Sequence, residues 1–572
     1  MPLPQLFPGF PEVDVQQTAF AVDALGRYIC STWNEATLNG GPPFTAVVVG
    51  AGMYGAYCAT KIVRLDPTAR VLLLDAGRFL VSEHVQNLAN IGFNVPSAIP
   101  PSSDPGVARE IVWGIPWRGN TEFPGLAYCT GGKSIFWGGW CPRLTTDDLA
   151  HWPVTVAQYL VDHYIDVESE IGVVPATDFI FGELGDVLRN ACVSAAAVTP
   201  DIDTSSGTSG VETAPLAVQG SPPVSGLFSF DKYSSVPVLV DAIRADVGAS
   251  GGNDAARRLF LVPLAHVVKL HAAGGTVHTV EVEAGGQRRF LSLTPGAAVV
   301  LAASAVETTR LALQSFPTPL MGRNLMAHLR SDFTVRVKRA ALPPVPGHVQ
   351  TSALLVRGLS PVGRFHVQVT ASTHVQGSDD LLFRMIPDLD VLEAQLLNID
   401  PDWITITFRG IAEMHGDRNT TIPNATTSWI NLSPFESDEF AAPRAFVHLK
   451  VGAADLQTWQ VMDAAIVNLA QTMAGTPANI EYRYDNAWQT QPFPLSRPFA
   501  EWHRGLGTTY HEAGTLWMGN NPATSVTNDV GRFHHMSNAY ACDQSIFSTV
   551  GSVNPALTGL TLARRLAEHL AT

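Results

Sequence analysis

Phe44-Thr-Ala-Val-Val-Val-Gly50-Ala-Gly52-Met-Tyr-Gly55 is a short apolar run that breaks at glycine and resumes with helical spacing. Ala46–Val49 predicts a strand, followed by a glycine turn and a helix from about Met53 to Leu65. A turn at Asp66-Pro67 then leads into a second strand over Arg70–Asp75. The whole is a β-α-β unit of about thirty residues, the length a parallel crossover needs. Gly50 permits the tight turn, Gly52 lets a pyrophosphate approach the backbone, and Gly55 lets the helix pack on the sheet. The helix N-terminus stabilises phosphate charge. Asp75 stands twenty positions after Gly55, at the end of the second strand, where an acidic residue accepts hydrogen bonds from a ribose. These residues predict a dinucleotide site. They do not decide between NAD and FAD, although a position near the N-terminus of a very long chain favours FAD.

Almost five hundred residues later, His511-Glu-Ala-Gly-Thr-Leu-Trp-Met-Gly519 reads as a turn-rich loop. It is followed by Ser552-Val-Asn554-Pro555-Ala-Leu-Thr558. Pro555 suits the first turn of a helix, and Leu557, Leu560, Leu562, Leu566 and Leu570 continue it with amphipathic spacing. Asn554 is thus expected near a helix N-cap, either as a simple cap or as an amide that donates to a substrate oxygen. His511 is a candidate general base, since an imidazole titrates near neutral pH.

The chain has 572 residues, enough for two or more domain-sized units. Hydrophobic residues make up 46% and charged residues 15%, a globular rather than a disordered composition. Lys+Arg is 36 against Asp+Glu 51, and the net charge of −15 disfavours nucleic acid and anionic membranes as partners. No apolar stretch reaches the roughly 20 residues of a spanning helix. The first residues lack a basic region and a long apolar run, so no secretory signal is read and a cytoplasmic location is expected. The six cysteines include no CxxC pair, which fits isolated reduced thiols and argues against a zinc site. No metal ligands are assigned. The glycosylation-type triplets at Asn419, Asn424 and Asn431 are read as incidental.

Between the two motifs, residues 15–35 predict a lead-in helix, and 200–226, rich in Gly, Ser and Pro, predict a loop that is either a lid or a surface insertion. Leu259–Leu270 reads as a strand pair, Thr276–Glu283 with Arg288–Leu293 as a hairpin, and Ala297–Ala302 as a strand buried on both faces before a helix over Val306–Gln314. From about 325 to 500 strands prevail: Phe333–Lys338, Phe365–Thr370, Trp403–Arg409 and Ala445–Val451, interrupted by one long helix over about Leu456–Ala474. An α/β fold with a second, antiparallel-sheet unit follows.

Taken with these motifs, Gly131-Gly-Lys-Ser-Ile-Phe-Trp-Gly-Gly139, Val299-Val-Leu-Ala-Ala-Ser-Ala305, Gly322-Arg-Asn-Leu-Met-Ala-His328 and Asp543-Gln-Ser-Ile-Phe547 stand in an order that resembles the glucose–methanol–choline (GMC) oxidoreductases across nearly the whole chain. The resemblance implies a Rossmann-like FAD-binding domain over 40–155, 227–325 and 500–572. It implies a substrate domain of antiparallel sheet plus helices over 156–226 and 326–499, with 1–39 as an N-terminal lead-in. It places FAD on Gly50, Gly52, Met53, Tyr54 and Gly55, with Asp75 and Ala76 at the adenosine ribose and Val268 at the adenine end. Gly132, Ser134, Trp137 and Gly138 correspond to the stretch over the flavin. Ala303, Asp543, Asn554, Pro555 and Thr558 correspond to further cofactor contacts, the last near the pyrimidine ring. His511 matches the catalytic histidine and Asn554 its partner.

The implied reaction is oxidation of an alcohol, with proton abstraction by His511 and hydride transfer to flavin N5. Oxygen or a quinone or dye would serve as acceptor. Trp137 resembles the pyranose-oxidase branch, which carries a flavin-bonding histidine one position earlier. Here that position is Phe136, so noncovalent FAD is expected. Trp137, Trp140, Phe136 and Tyr510 are either an aromatic wall for a sugar, glycoside or aryl alcohol, or core filling. A lyase or photodecarboxylase on the same fold is the alternative.

Overall fold

The computed structural model describes residues 28–88, 112–121, 125–173, 182–205, 209–219, 231–373, 375, 377–497 and 500–572. The lead-in helix expected over 15–35 falls mostly outside them. Within them lies a short helix, Trp33–Thr37, closed by a capping box between Thr32 and Glu35.

The fold is mixed α/β, organised around two large sheets. Five strands run parallel in the order Ala539–Ala541, Ala298–Leu301, Ala46–Val49, Val71–Leu74 and Leu259–Val262. Their valines and leucines show no polar alternation because both faces are covered, and every residue of the four longer strands is buried. Ala46 pairs with both Val71 and Ala298, so the strand before the glycine turn lies at the centre of the sheet. The helix Met53–Leu65 leaves its C-terminal end and packs against the last helix, Ala556–Leu570. Gly559 makes that contact possible, since a Cβ there would meet the Tyr54 ring at 2.4 Å.

The second sheet has seven antiparallel strands in the order Ala487–Gln489, Ile480–Tyr484, His328–Lys338, Trp403–Glu413, Gly363–Thr373, Gln350–Ser360 and Val211–Thr213. One face carries Leu329, Phe333, Val335, Ile404, Ile406, Phe408, Val367 and Val369, which form a core with the helix Ala453–Ala474. The opposite face carries His328, Arg330, Asp332, His366, Gln368 and Arg409, also buried. The period-two side-chain alternation of a strand makes this division sharp.

Two expectations change. Val211–Thr213, placed in the 200–226 loop, is an edge strand of the seven-stranded sheet, with Val211 opposite Val356. Its three residues have no pattern of their own and are recruited by unpaired backbone groups of the neighbouring strand. Residues 220–230 lie outside the described set. The strand expected from Phe333 begins at His328, because its first residues alternate apolar with charged side chains rather than reading as a hydrophobic run. No helix among the described residues is long and apolar enough to cross a membrane.

Phe408 is fully buried on the apolar face beneath the long helix. Phe408→Ala is expected to cost about 3–5 kcal/mol, read as a lowered denaturant midpoint.

Candidate active site

Between the carboxyl edge of the parallel sheet and the polar face of the antiparallel sheet lies a cavity of about 1010 Å³. At one end it is bounded by the glycine turn. Gly50 adopts φ +100°, and a Cβ there would meet the Ala302 carbonyl oxygen at 2.4 Å, so this turn admits only glycine. A Cβ on Gly52 would meet nothing within 4 Å and would project into open space. Gly52, Met53 and Tyr54 line the cavity, and the helix they open has no side-chain cap on its first amides. The helix starting at Ala556 repeats this arrangement: Asn554, Pro555 and Ala556 line the cavity, and no side chain caps its N-terminus.

Asp75 and Ala76 line the same end. The Asp75 carboxylate accepts hydrogen bonds from the backbone N–H of Ala51 at 2.7 Å and of Gly77 at 2.8 Å. Burial pushes its pKa up to about 7 against the pull of those two donors. Gly132, Ser134, Trp137 and Gly138 form one side wall. The Ser134 hydroxyl is turned onto the Gly131 carbonyl at 2.6 Å, and the Trp137 indole donates to the Tyr233 carbonyl at 2.7 Å. Ala303 and Asp543 also line the cavity. Asp543 accepts from the Thr308 hydroxyl at 2.5 Å and the Ser545 N–H at 2.9 Å, while burial raises its pKa.

Three expected contacts lie elsewhere. Gly55 is at the helix–strand contact, where a Cβ would meet the Gly50 carbonyl at 2.0 Å, so it shapes the turn without lining the cavity. Val268 sits at a bulge in the strand Ala265–Ala273, and His266 and Val267 make the wall instead. Thr558 points into the protein and shares a hydrogen bond with the Tyr164 hydroxyl at 2.9 Å, because its place on the last helix turns it away from the cavity.

His511 and Asn554, forty-three positions apart, converge on the wall, with Asn554 Nδ2 3.5 Å from His511 Nε2. His511 is 8% exposed, and burial, with His328 and His366 nearby, holds its imidazole well below the ordinary pKa. Its Nδ1 lies 2.7 Å from His328 Nδ1. Tyr510, just before it, takes a left-handed φ of +61° and joins Trp113 and Phe136 in an aromatic cluster on the cavity wall. Trp140 is fully buried and donates its indole N–H to Asp388 at 2.8 Å.

The facing wall was not foreseen. Arg330 and Arg409 both bind Asp332 and Asp390, and Arg409 also binds Asp388 at 3.0 Å. Arg504 joins Asp332 at 2.9 Å. Burial alone would raise the Asp332 pKa, but the three guanidiniums outweigh it and hold the carboxyl below the usual range. Three cations meet three anions, so the wall offers many donors and acceptors with no net charge. Gly138 contributes here too: a Cβ would meet Asp388 Oδ1 at 2.0 Å. A signal was present in the sequence, because His328-x-Arg330-x-Asp332 and His366-x-Gln368 place polar residues on every second position of otherwise apolar strands.

Residues 423–563 match the family model of the GMC oxidoreductase C-terminal region. The pyridoxine 4-oxidase from Mesorbium loti has a similar fold, with a TM-score of 0.54 at 18% identity over 92% of this chain and 98% of that one. No curated protein sequence matches the chain. The GMC match spans His511, Asp543, Asn554 and Pro555.

Removing one side of the buried ionic wall leaves carboxylates without partners. Arg409→Leu is expected to destabilise the protein by about 3–5 kcal/mol, seen as a lower midpoint in urea unfolding.

Proposed function

We propose that the protein is an FAD-dependent oxidoreductase that oxidises the CH–OH group of a sugar, glycoside or other cyclic or aryl alcohol. The observation that carries this reading is the convergence of His511 and Asn554 on a cavity that also takes in the glycine turn. In this reading residues 40–155, 227–325 and 500–572 form a Rossmann-like flavin-binding body, and 156–226 with 326–499 form the substrate body.

The residues present fit FAD. Two uncapped helix N-termini face one cavity and offer free amides to a pyrophosphate and to an electron-rich ring. Gly52 leaves space where a side chain would stand, and the Asp75 oxygens retain lone pairs for ribose hydroxyls. Phe136 lacks a nucleophile, which supports noncovalent binding. A bound FAD would supply a two-electron acceptor for hydride, with oxygen or a quinone or dye as the final acceptor.

The chain's own residues handle the proton. His511, kept neutral by burial, takes it from the substrate hydroxyl, and the Asn554 amide donates to the oxygen that becomes negative. The aromatic cluster of Trp113, Phe136 and Tyr510 offers an apolar surface to a ring, and the Arg/Asp wall offers matched donors and acceptors to hydroxyls. The absence of net charge on that wall favours a neutral polyhydroxylated substrate over an ion.

The decisive experiment is anaerobic mixing of the flavin-loaded protein with a panel of sugars, glycosides and aryl alcohols. Bleaching of the flavin by at least one member is expected, and a flavin that stays oxidised with every alcohol would sink the proposal. His511→Ala should slow bleaching by roughly 10²–10⁴-fold. Acid precipitation should release the flavin into the supernatant. Gly52→Val should leave the apoprotein folded by circular dichroism and remove most bound flavin.

A lowered pKa keeps the base unprotonated as pH falls. The bleaching rate at saturating alcohol should therefore hold from pH 8 to below pH 6, with no protonation step near 6.5 in stopped-flow measurements.

A further inference from the structure

The side chains around His511 form a closed chain of hydrogen bonds whose ends are two consecutive backbone carbonyls. At one end, His328 Nε2 lies 2.9 Å from the Gly551 carbonyl oxygen, and His328 Nδ1 lies 2.7 Å from His511 Nδ1. At the other end, His366 Nδ1 donates to the Ser552 carbonyl. His366 Nε2 lies 3.2 Å from Gln368 Nε2, and Gln368 Nε2 donates to Asn554 Oδ1 at 2.8 Å. Asn554 Nδ2 then faces His511 Nε2 across 3.5 Å. His328 and His366 come from the polar face of the antiparallel sheet and are 1% and 0% exposed.

A carbonyl oxygen can only accept, and that rule sets every hydrogen in the chain. The Gly551 oxygen requires a hydrogen on His328 Nε2. A neutral His328 then has a bare Nδ1, which must accept, so His511 must carry its hydrogen on Nδ1. His511 Nε2 is left with a lone pair. On the other side, the Ser552 oxygen requires a hydrogen on His366 Nδ1, so His366 Nε2 accepts one amide hydrogen of Gln368. The second Gln368 hydrogen goes to Asn554 Oδ1, which turns the Asn554 amino group towards His511 Nε2. Each hydrogen is used once and no acceptor faces an acceptor.

We infer that His328 is a positioning residue: through the Gly551 carbonyl it fixes the His511 tautomer with Nε2 bare and aimed at the reacting hydroxyl, while His366 and Gln368 fix the Asn554 amide. The role of this tautomer in turnover rests on the alcohol-oxidation reading, whereas the tautomer itself rests on the hydrogen-bond geometry. The long Asn554 contact is a weak one, so the Nε2 lone pair remains available to a substrate, and the second amino hydrogen of Asn554 remains available to the oxygen beside it. Burial of both rings favours the neutral forms that the argument requires.

Nitrogen-15 NMR of the histidine-labelled wild-type protein reads the tautomers directly, with signals assigned by their loss in H511A and H328N. The expected result is hydrogen on Nδ1 of His511 and on Nε2 of His328. Hydrogen on Nε2 of His511 would overturn the inference.

Anaerobic flavin reduction supplies the second arm. His328→Asn keeps an acceptor near the Nδ1 position and should hold the rate within about tenfold of wild type. His328→Phe keeps bulk without an acceptor and should lower the rate by roughly 10²-fold or more, with a much smaller change in the alcohol concentration for half-maximal rate. Equal rates in the two variants, with flavin retained, would also overturn it. If either variant fails to hold flavin, the wild-type spectrum decides. If no alcohol bleaches the wild type, the oxidation reading falls, and the spectrum still decides the tautomer.

Discussion

The structure depends on one burial problem: a sheet face carrying histidines, arginines, aspartates and glutamines is enclosed against the carboxyl edge of a second sheet. Removing such groups from water costs far more than folding can absorb unless each donor meets an acceptor. Here the charged residues answer one another, as Arg330, Arg409 and Arg504 do with Asp332, Asp388 and Asp390. The neutral ones are tied into backbone carbonyls of the last loop. The cavity exists because these pairings hold its walls apart from the hydrophobic cores on either side.

The two sheets contribute different things. The parallel sheet brings backbone: a glycine turn, open helix N-termini and carbonyls that admit no Cβ. The antiparallel sheet brings side chains, displayed from one face by the strand repeat while the other face packs on the helix Ala453–Ala474. His511 and Asn554 stand on connecting segments at the seam and touch residues from the antiparallel sheet. A pair of side chains at such a seam is held from both sides by rigid elements.

Much of the backbone half was legible in the sequence. Uninterrupted runs such as Val47–Val49 and Val71–Leu74 declare strands buried on both faces, and the glycine spacing with Asp75 declares the turn between them. The helix over Met53–Leu65 has the bounds its pattern suggested. The side-chain half was less legible. Arg330 and Asp332 have no role assigned from sequence, because the strand is expected only from Phe333, and tertiary enclosure is what converts the alternation over 328–332 into a cavity wall. Val211–Thr213 had no local signal, since edge pairing is set by the neighbouring strand. Val268 and Thr558 do not line the cavity for a related reason: correspondence by position does not fix which way a side chain turns, and a bulge in one case and a helical rotation in the other direct them away from it.

The anchoring of His328 to the Gly551 carbonyl and of His366 to the Ser552 carbonyl has a consequence for redesign. Both oxygens belong to adjacent peptide units, so a single inserted or deleted residue in that bend would shift both moorings together. The loop leading to Asn554 is therefore a poor place for length changes. Variation aimed at new specificity is better placed on aromatic wall residues such as Trp113 and Phe136, which take no part in that hydrogen-bond chain.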